Sequence, residues 1–355
     1  MVKRLKWLGR PAWRNPMIAT RAVRSGVFLC AILAASLGTA AEPKDAALVP
    51  ESQQLLQEMT QAHHDRNFSG RLVYMRGKDV STLEYLRGRI DGREYERLTH
   101  LDGQSAELIR RGEQVVCVHA DKTITRLAGR SGIAPLGLQS QLSLVIPSQY
   151  RATVLGSARV AGRMSWQLEL APVDQYRFGY RLWVDDESRL LLRSELVGAN
   201  GEALERLEFI TLNLSPSLTL GQFDIPAAAA AKTIETVHLN DHPQGRIQVI
   251  ADWLPEGFAA TEQDIRIVQG DSSPVNSRVF SDGLSAFTVF LERPPVGAEA
   301  GLLSRIGPTL VISQTYTVDG SLWLVTLVGE VPDETALEVL DKLSFEQEHV
   351  KRKLP

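Results

Sequence analysis

From Phe68 to Leu214 apolar residues recur at alternate positions, and this pattern constrains the fold of the 355-residue chain more than any other feature. Leu72/Tyr74, Leu83/Tyr85, Met164/Trp166/Leu168/Leu170, Phe178/Tyr180/Leu182/Val184 and Leu190/Leu192 alternate with polar or charged residues. That is the period of strands with one buried face. Turn-forming residues break the runs at short intervals, at Gly77-Lys78-Asp79, Asp91-Gly92, Arg111-Gly112-Glu113, Ala120-Asp121, Ala161-Gly162, Asp185-Asp186 and Asn200-Gly201. Asp-Gly and Asn-Gly tolerate the positive φ of tight hairpins. The spacing predicts an antiparallel meander of about nine to eleven strands.

Elements of a different kind flank this β-rich stretch. Glu51 to Arg66 carries Leu55, Leu56, Met59, Ala62 and His63 at helical spacing and ends at Asn67, so it predicts an opening helix. His63-His64-Asp65 holds ligand-type residues, but neighbours on a helix diverge and no second pair follows at i+4, which argues against a metal site. Leu127 to Gln149 interrupts the alternation with five Gly or Pro among its Leu, Val and Ile residues. It reads either as a helix with a lid over a concave sheet or as an ordinary core helix with its connection. Pro216, Pro226 and an alanine run mark a domain edge and linker over 226–237.

A second domain, 238–346, follows. Strand candidates are Gln248–Ile250, Ile265–Val268, Ala286–Leu291, Leu310–Tyr316 and Leu322–Val328. A helix is expected over Pro332–Leu343, with Ala336, Leu337, Val339, Leu340 and Leu343 on one face. Asp333 and Glu334 suit its positive end. The expected architecture is therefore mainly β with α: a large domain over 42–225, a linker, a smaller α+β domain and a basic tail over 347–355.

Net charge looks uninformative at −3, from 39 Lys and Arg against 42 Asp and Glu, until it is resolved by segment. Residues 1–41 hold seven basic residues and no acidic one, then an apolar run of thirteen residues, Gly26–Gly38, and Thr39-Ala40-Ala41. A run this short falls below the ~20 residues needed to span a bilayer. Basic stretch, apolar core and small-residue exit describe a secretory signal peptide; an uncleaved N-terminal anchor is the competing reading. The long basic region and Met17 suggest a start at Met17 rather than Met1. Removal of 1–41 leaves a mature chain of net −10, with Cys117 as its one cysteine. A lone Cys forms no internal disulfide and is expected buried and inert. Residues 236–346 hold six basic and sixteen acidic residues. No nucleic-acid partner fits this balance.

Catalytic signatures are missing: there is no Walker A sequence, GxGxxG, HExxH or GxSxG. Gly283-Leu284-Ser285-Ala286-Phe287 lacks the closing glycine of a nucleophile elbow. His238 and His242 lie beside Pro243, and Asp185-Asp186 reads as a solvated turn. The expectation is a binding or regulatory protein without cofactor or metal. Leu72, Tyr74, Leu83, Tyr85, Trp166, Leu168, Tyr180 and Leu182 would line an apolar cavity if they face a concave sheet, or would pack on the opening helix; both readings stay open. Arg87, Arg89, Arg93, Arg97, Arg110 and Arg111 fall within 25 residues. They suit an anionic headgroup or form a solvated face balanced by Glu84, Glu94, Glu96 and Glu107.

Several motifs resemble one family in order along the mature chain. FSGRLVYMRG (68–77), DGREYERLTHLDG (91–103), IRRGEQVV (109–116), RLWVD (181–185) and LLLRSEL (190–196) resemble the first domain of the MucB/RseB family. DWLPEGF (252–258), VFSDGLSAFTVF (279–290) and LVGEVP (327–332) resemble its second. The resemblance implies a LolA/LppX-like half-open antiparallel β-barrel covered by helices, plus a smaller α+β domain. It implies a periplasmic negative regulator of an envelope-stress sigma factor. Its partner would be the periplasmic segment of a MucA/RseA-type anti-sigma factor, shielded from proteolysis and released when envelope lipid or lipopolysaccharide competes. A homo-oligomer is compatible with it. A periplasmic lipid or lipoprotein carrier and a periplasmic hydrolase built around His100 or His119 are the alternatives.

Overall fold

The computed structural model describes residues 51–103, 106–112, 114–127, 146–227, 230–238, 247–268, 275–294, 301–318 and 320–347. Residues 1–41, read as a signal peptide, residues 348–355 of the expected basic tail and most of the Leu127–Gln149 insertion lie outside them. No described helix is long and apolar enough to cross a membrane.

Helix α1 (Ser52–Asp65) forms where the helical spacing predicts it, and buries Leu55, Leu56, Met59 and Ala62 along one stripe. Eleven strands follow: β1 (Phe68–Arg76), β2 (Asp79–Ile90), β3 (Arg93–His100), β4 (Glu107–Arg111), β5 (Gln114–Val118), β6 (Thr123–Leu127), β7 (Tyr150–Val160), β8 (Arg163–Pro172), β9 (Gly179–Asp185), β10 (Leu191–Val197) and β11 (Ala203–Asn213). All their mutual pairings are antiparallel, in the order β7-β8-β9-β10-β11-β1-β2-β3-β4-β5-β6. Among the described residues β6 pairs with β5 and β12 and β7 with β8, with no ladder between β6 and β7, so the curved sheet is a half-open barrel. Asp91 (φ 50) and Gly92 (φ 77) make one of the expected positive-φ hairpins.

Register decides which side chains share a face. Leu72 stands opposite Leu83, and Leu168 opposite Leu182. The alternation therefore places all four on the face that α1 covers. Two sequence expectations need correction here. Met164 is 51% exposed at the open end of β8, and Leu190, Leu191 and Leu192 are all buried rather than alternating. Cys117 is half-buried in β5, where burial pushes its thiol pKa up.

The segment following the alanine run forms β12 (Ala230–His238). It pairs in parallel with β6, Ala230 opposite Thr123, and antiparallel with β14 (Ala259–Val268). One continuous sheet thus runs from the first half of the chain into the second. It continues through β15 (Val275–Ser281), β16 (Ala286–Glu292), β19 (Ser321–Gly329), β18 (Thr309–Val318) and β17 (Leu303–Ile306). A two-stranded sheet of β13 (Ile247–Ala251) and β20 (Leu343–Gln347) lies apart from it in pairing. Helix α2 (Asp333–Asp341) packs Ala336, Val339 and Leu340 into a core with Val249, Phe287, Val325 and Leu327. Leu337, expected on that apolar face, is exposed at 44%. Strands β12, which occupies most of the stretch read as a linker over 226–237, β15, β17 and β20 are additions to the sequence reading. Residues 49–355 form one compact unit.

Candidate functional site

The concave face of the half-barrel is filled. Trp166, Leu168, Tyr180 and Leu182 form a buried cluster with Leu55, Leu56 and Met59 of α1, joined by Leu284 from the second half of the chain. Leu72, Leu83 and Tyr85 form the adjoining cluster with Ala62, Phe68, Leu98 and Phe209, and Tyr74 lies at its margin. The structure thus gathers all eight residues into two neighbouring clusters, with α1 seated over both. Trp166 keeps its indole N–H satisfied by donating to Asp186 Oδ1 at 2.7 Å. Asp185 is not a solvated turn residue. It is 1% exposed, accepts both Arg163 Nε at 2.8 Å and Nη2 at 2.9 Å, and takes the Ser188 hydroxyl at 2.6 Å. Burial raises the Asp185 carboxyl, and Arg163 with Ser188 more than offsets this, so it sits below its ordinary value.

The arginine group is close in space and largely neutralised. Arg87, 2% exposed, donates through Nε to Glu96 Oε1 at 3.1 Å and lies 3.5 Å from Glu94. Arg110 pairs with the other Glu96 oxygen at 3.2 Å. Arg97 pairs with Glu107 at 2.7 Å and donates to the Gln222 carbonyl. Arg89 meets Glu94 at 3.3 Å and Arg111 meets Asp224 at 3.8 Å; Arg93 is exposed. Burial raises the Glu94 carboxyl, and Arg87, His64 and Arg89 together outweigh it, leaving the group below its usual value. His63, on the underside of α1, is held well below the ordinary imidazole range by burial, then by Arg87 and His64. Glu96 lies 4.0 Å from its ring but is engaged by Arg87 and Arg110.

The contact between the two halves was not legible from sequence. Arg177, in the connection from β8 to β9, is fully buried and pairs with the fully buried Asp282 of the β15–β16 turn. Its Nη2 also donates to Asp174 at 2.9 Å and to the Glu256 carbonyl at 2.7 Å. Phe258 lies 5.1 Å beneath the guanidinium. Tyr150 Oη donates to Asp282 at 3.2 Å and Tyr180 Oη to the Leu284 carbonyl at 2.9 Å. Thr335 Oγ1 donates to the Tyr176 carbonyl at 3.0 Å, and the Tyr176 and Trp253 rings meet edge to face at 5.3 Å. Asp282 Oδ1 accepts the N–H groups of Leu284 and Ser285. The motif that resembles a broken nucleophile elbow is thus a turn that aims a carboxylate across the joint.

Beside this joint runs an open groove of about 1030 Å³, lined by Asp174, Arg181 and Glu202 on one side and Arg305, Asp333 and Glu334 on the other. It sets these charged groups beside apolar lining from Leu170, Phe178, Tyr180 and Leu204. Among the described residues, no three His, Cys, Asp or Glu side chains are placed to hold a metal ion.

The comparisons agree with this two-part architecture. Residues 51–233 match the MucB/RseB N-terminal domain and residues 244–344 the MucB/RseB C-terminal domain. The sigma factor AlgU regulatory protein MucB of Pseudomonas aeruginosa is 32% identical over 293 residues, covering 80% of this chain and 88% of that protein. The sigma-E factor regulatory protein RseB of Escherichia coli K12 is 26% identical over 309 residues, 85% of this chain and 93% of that protein. A crystal structure of MucB in complex with MucA(peri) superposes with a TM-score of 0.64 at 29% identity, over 84% of this chain and 100% of that one. A crystal structure of MucB alone gives 0.59 at 29% identity, over 83% and 98%. The order of motifs, the paired domains and this coverage agree: the chain belongs to the MucB/RseB family.

Proposed function

We propose that the chain acts in the periplasm by binding, without catalysis, and that it restrains an envelope-stress sigma factor. Its target is the periplasmic segment of a membrane-spanning anti-sigma factor, which the bound protein shields from proteolysis. The observation that carries this reading is the match to MucB as captured with MucA(peri), which spans that chain from end to end. The net charge of −10 over residues 236–346 supports it, because an acidic field steers a basic partner and speeds encounter. Residues 42–225 and 238–346 act as the two domains of the device.

Envelope lipid or lipopolysaccharide is the releasing signal in this account. Acyl chains would enter the concave face by displacing α1, so the lipid-bound and partner-bound states are different conformations. A ligand releases a partner only through such differential affinity, typically about 1–3 kcal/mol of coupling. Among the described residues the concavity is occupied by α1 side chains, which favours a regulated device over a carrier with a standing lipid cavity. The test is protease protection of the anti-sigma segment with and without the mature protein, followed by titration of a lipid-A-type ligand into the complex. Protection, then its loss on titration, is expected. An unprotected segment overturns the binding role, and a complex that persists at ligand saturation overturns the lipid signal alone.

A further inference from the structure

A second contact between the two halves joins β1 and β11 to β18 and the residue after β19. Tyr74 Oη donates to Glu205 Oε2 at 2.8 Å. Arg76 Nε stands 4.0 Å from the same oxygen, while Arg76 Nη2 donates to the Thr309 hydroxyl. Thr309 Oγ1 in turn lies 3.5 Å from Glu330 Oε1. Tyr74 and Arg76 belong to β1 and Glu205 to β11; Thr309 opens β18 and Glu330 follows β19. The backbones themselves approach closely here, since a Cβ on Gly307 would meet the Gly77 nitrogen at 3.2 Å and the Arg76 carbonyl carbon at 3.4 Å. Two carboxylates from opposite halves therefore flank one guanidinium in a half-buried seam, Glu205 at 4.0 Å and Glu330 through the Thr309 hydroxyl.

We infer that this Glu205–Arg76–Glu330 seam is an acid-tightened joint, in which uptake of one proton draws the two halves of the protein together. With both carboxylates ionised, Arg76 offsets only one of two negative charges held out of water. Protonating one carboxylate removes the excess charge and adds a donor to those of Tyr74, Arg76 and Thr309. The Tyr74 and Tyr180 phenols face the two carboxylates from β1 and β9. The next cations along the joint are engaged by other carboxylates: Arg305, which donates to the Pro308 and Val331 carbonyls, pairs with Asp333, and Arg177 pairs with Asp174 and Asp282. Burial first, and then Glu330, raises Glu205 from 4.5 to about 7; burial also raises Glu330.

The sign follows from linkage. A carboxyl whose pKa is higher in the closed state than in the open one favours closure as pH falls towards the open-state value. Between pH 8 and pH 6 the closed-to-open ratio rises about tenfold for one such group. The inference goes beyond the binding role and needs no partner for its test.

Hydrogen exchange of the mature wild-type protein, corrected for intrinsic rates, reads the joint directly. Peptides covering Arg76–Asp79 and Gly307–Thr309 are expected to gain about tenfold protection between pH 8 and pH 6, while the β7–β8 hairpin gains none. Glu205→Gln should lose this dependence. Glu330→Gln should move the midpoint to lower pH, because the repelling charge is gone. Flat wild-type protection at the seam, an equal gain in the β7–β8 hairpin, or an unmoved midpoint in Glu330→Gln overturns the inference. If Glu205→Gln does not fold, the wild-type and Glu330→Gln titrations still decide it.

Discussion

Arg177 and Asp282 form an ion pair with neither side chain exposed, 105 residues apart in sequence, at the centre of the contact between the two halves. A buried pair of this kind contributes less to net stability than to choosing one arrangement of the halves. Its desolvation offsets most of its attraction, whereas a wrong arrangement leaves a buried charge unpaired.

Asp282→Ala should therefore cost about 3–5 kcal/mol, towards the lower figure because Asp174 still engages Arg177. The double variant Arg177→Met/Asp282→Leu should recover most of that loss. Denaturant unfolding of the wild type, both single variants and the double variant gives the coupling. A loss below about 1 kcal/mol in Asp282→Ala would contradict a desolvated pair.

Helix α1 fills the barrel through Leu56, which is 1% exposed. Leu56→Ala should destabilise the protein by about 2–5 kcal/mol. If acyl chains and α1 compete for the same face, the variant should also take up a fluorescent acyl probe more strongly than the wild type. Unchanged uptake in a measurably destabilised variant would separate the helix from the ligand site.

His63 gives a pH dependence of opposite sign to that of the seam. Burial holds the folded ring well below 6.5, so below that pH the unfolded chain binds a proton that the folded chain rejects. Stability from this residue is present above the unfolded value and lost as pH falls through it, by about 1.4 kcal/mol between pH 7.5 and pH 5.5. The stability difference between His63→Phe and the wild type should shift by that amount in favour of the variant. A difference that stays constant across this range refutes the assignment.

Gly70 sits where β1 crosses close to β11. A Cβ there would meet the Thr211 carbonyl oxygen at 2.2 Å and the Phe209 ring at 2.8 Å. Gly70→Ala should therefore cost more than about 3 kcal/mol or abolish folding, because backbone cannot yield as a side chain does. Gly112, at φ +61 with nothing near its missing Cβ, should lose only about 1–2 kcal/mol on the same change. Thermal unfolding of the two variants compares them; equal losses would contradict the close approach.

Local periodicity made most of the N-terminal architecture legible. Leu72, Leu83, Leu168 and Leu182 reveal their shared face because a strand has period two, and α1 declares itself through Leu55, Leu56 and Met59. Pairings that depend on distant chain segments left no such trace. Nothing near Arg177 points to Asp282, and nothing near Glu205 points to Glu330. Asp185 reads as a turn residue because its neighbours form a turn, yet Arg163 from the preceding strand encloses it. Strand β17 escaped notice because Leu303, Ser304, Arg305 and Ile306 are all exposed at a sheet edge and show no alternation.

The role proposed for this chain requires that it bind the periplasmic segment of a membrane-spanning anti-sigma factor. Calorimetric titration of the mature protein with that segment, taken from the same genome, tests it most directly. Saturable binding is expected with a Kd of about 1 µM or tighter, near −8 kcal/mol, weakening as salt screens the acidic second half. Absence of saturable binding at about 100 µM of each component, roughly −5.5 kcal/mol or weaker, would contradict it.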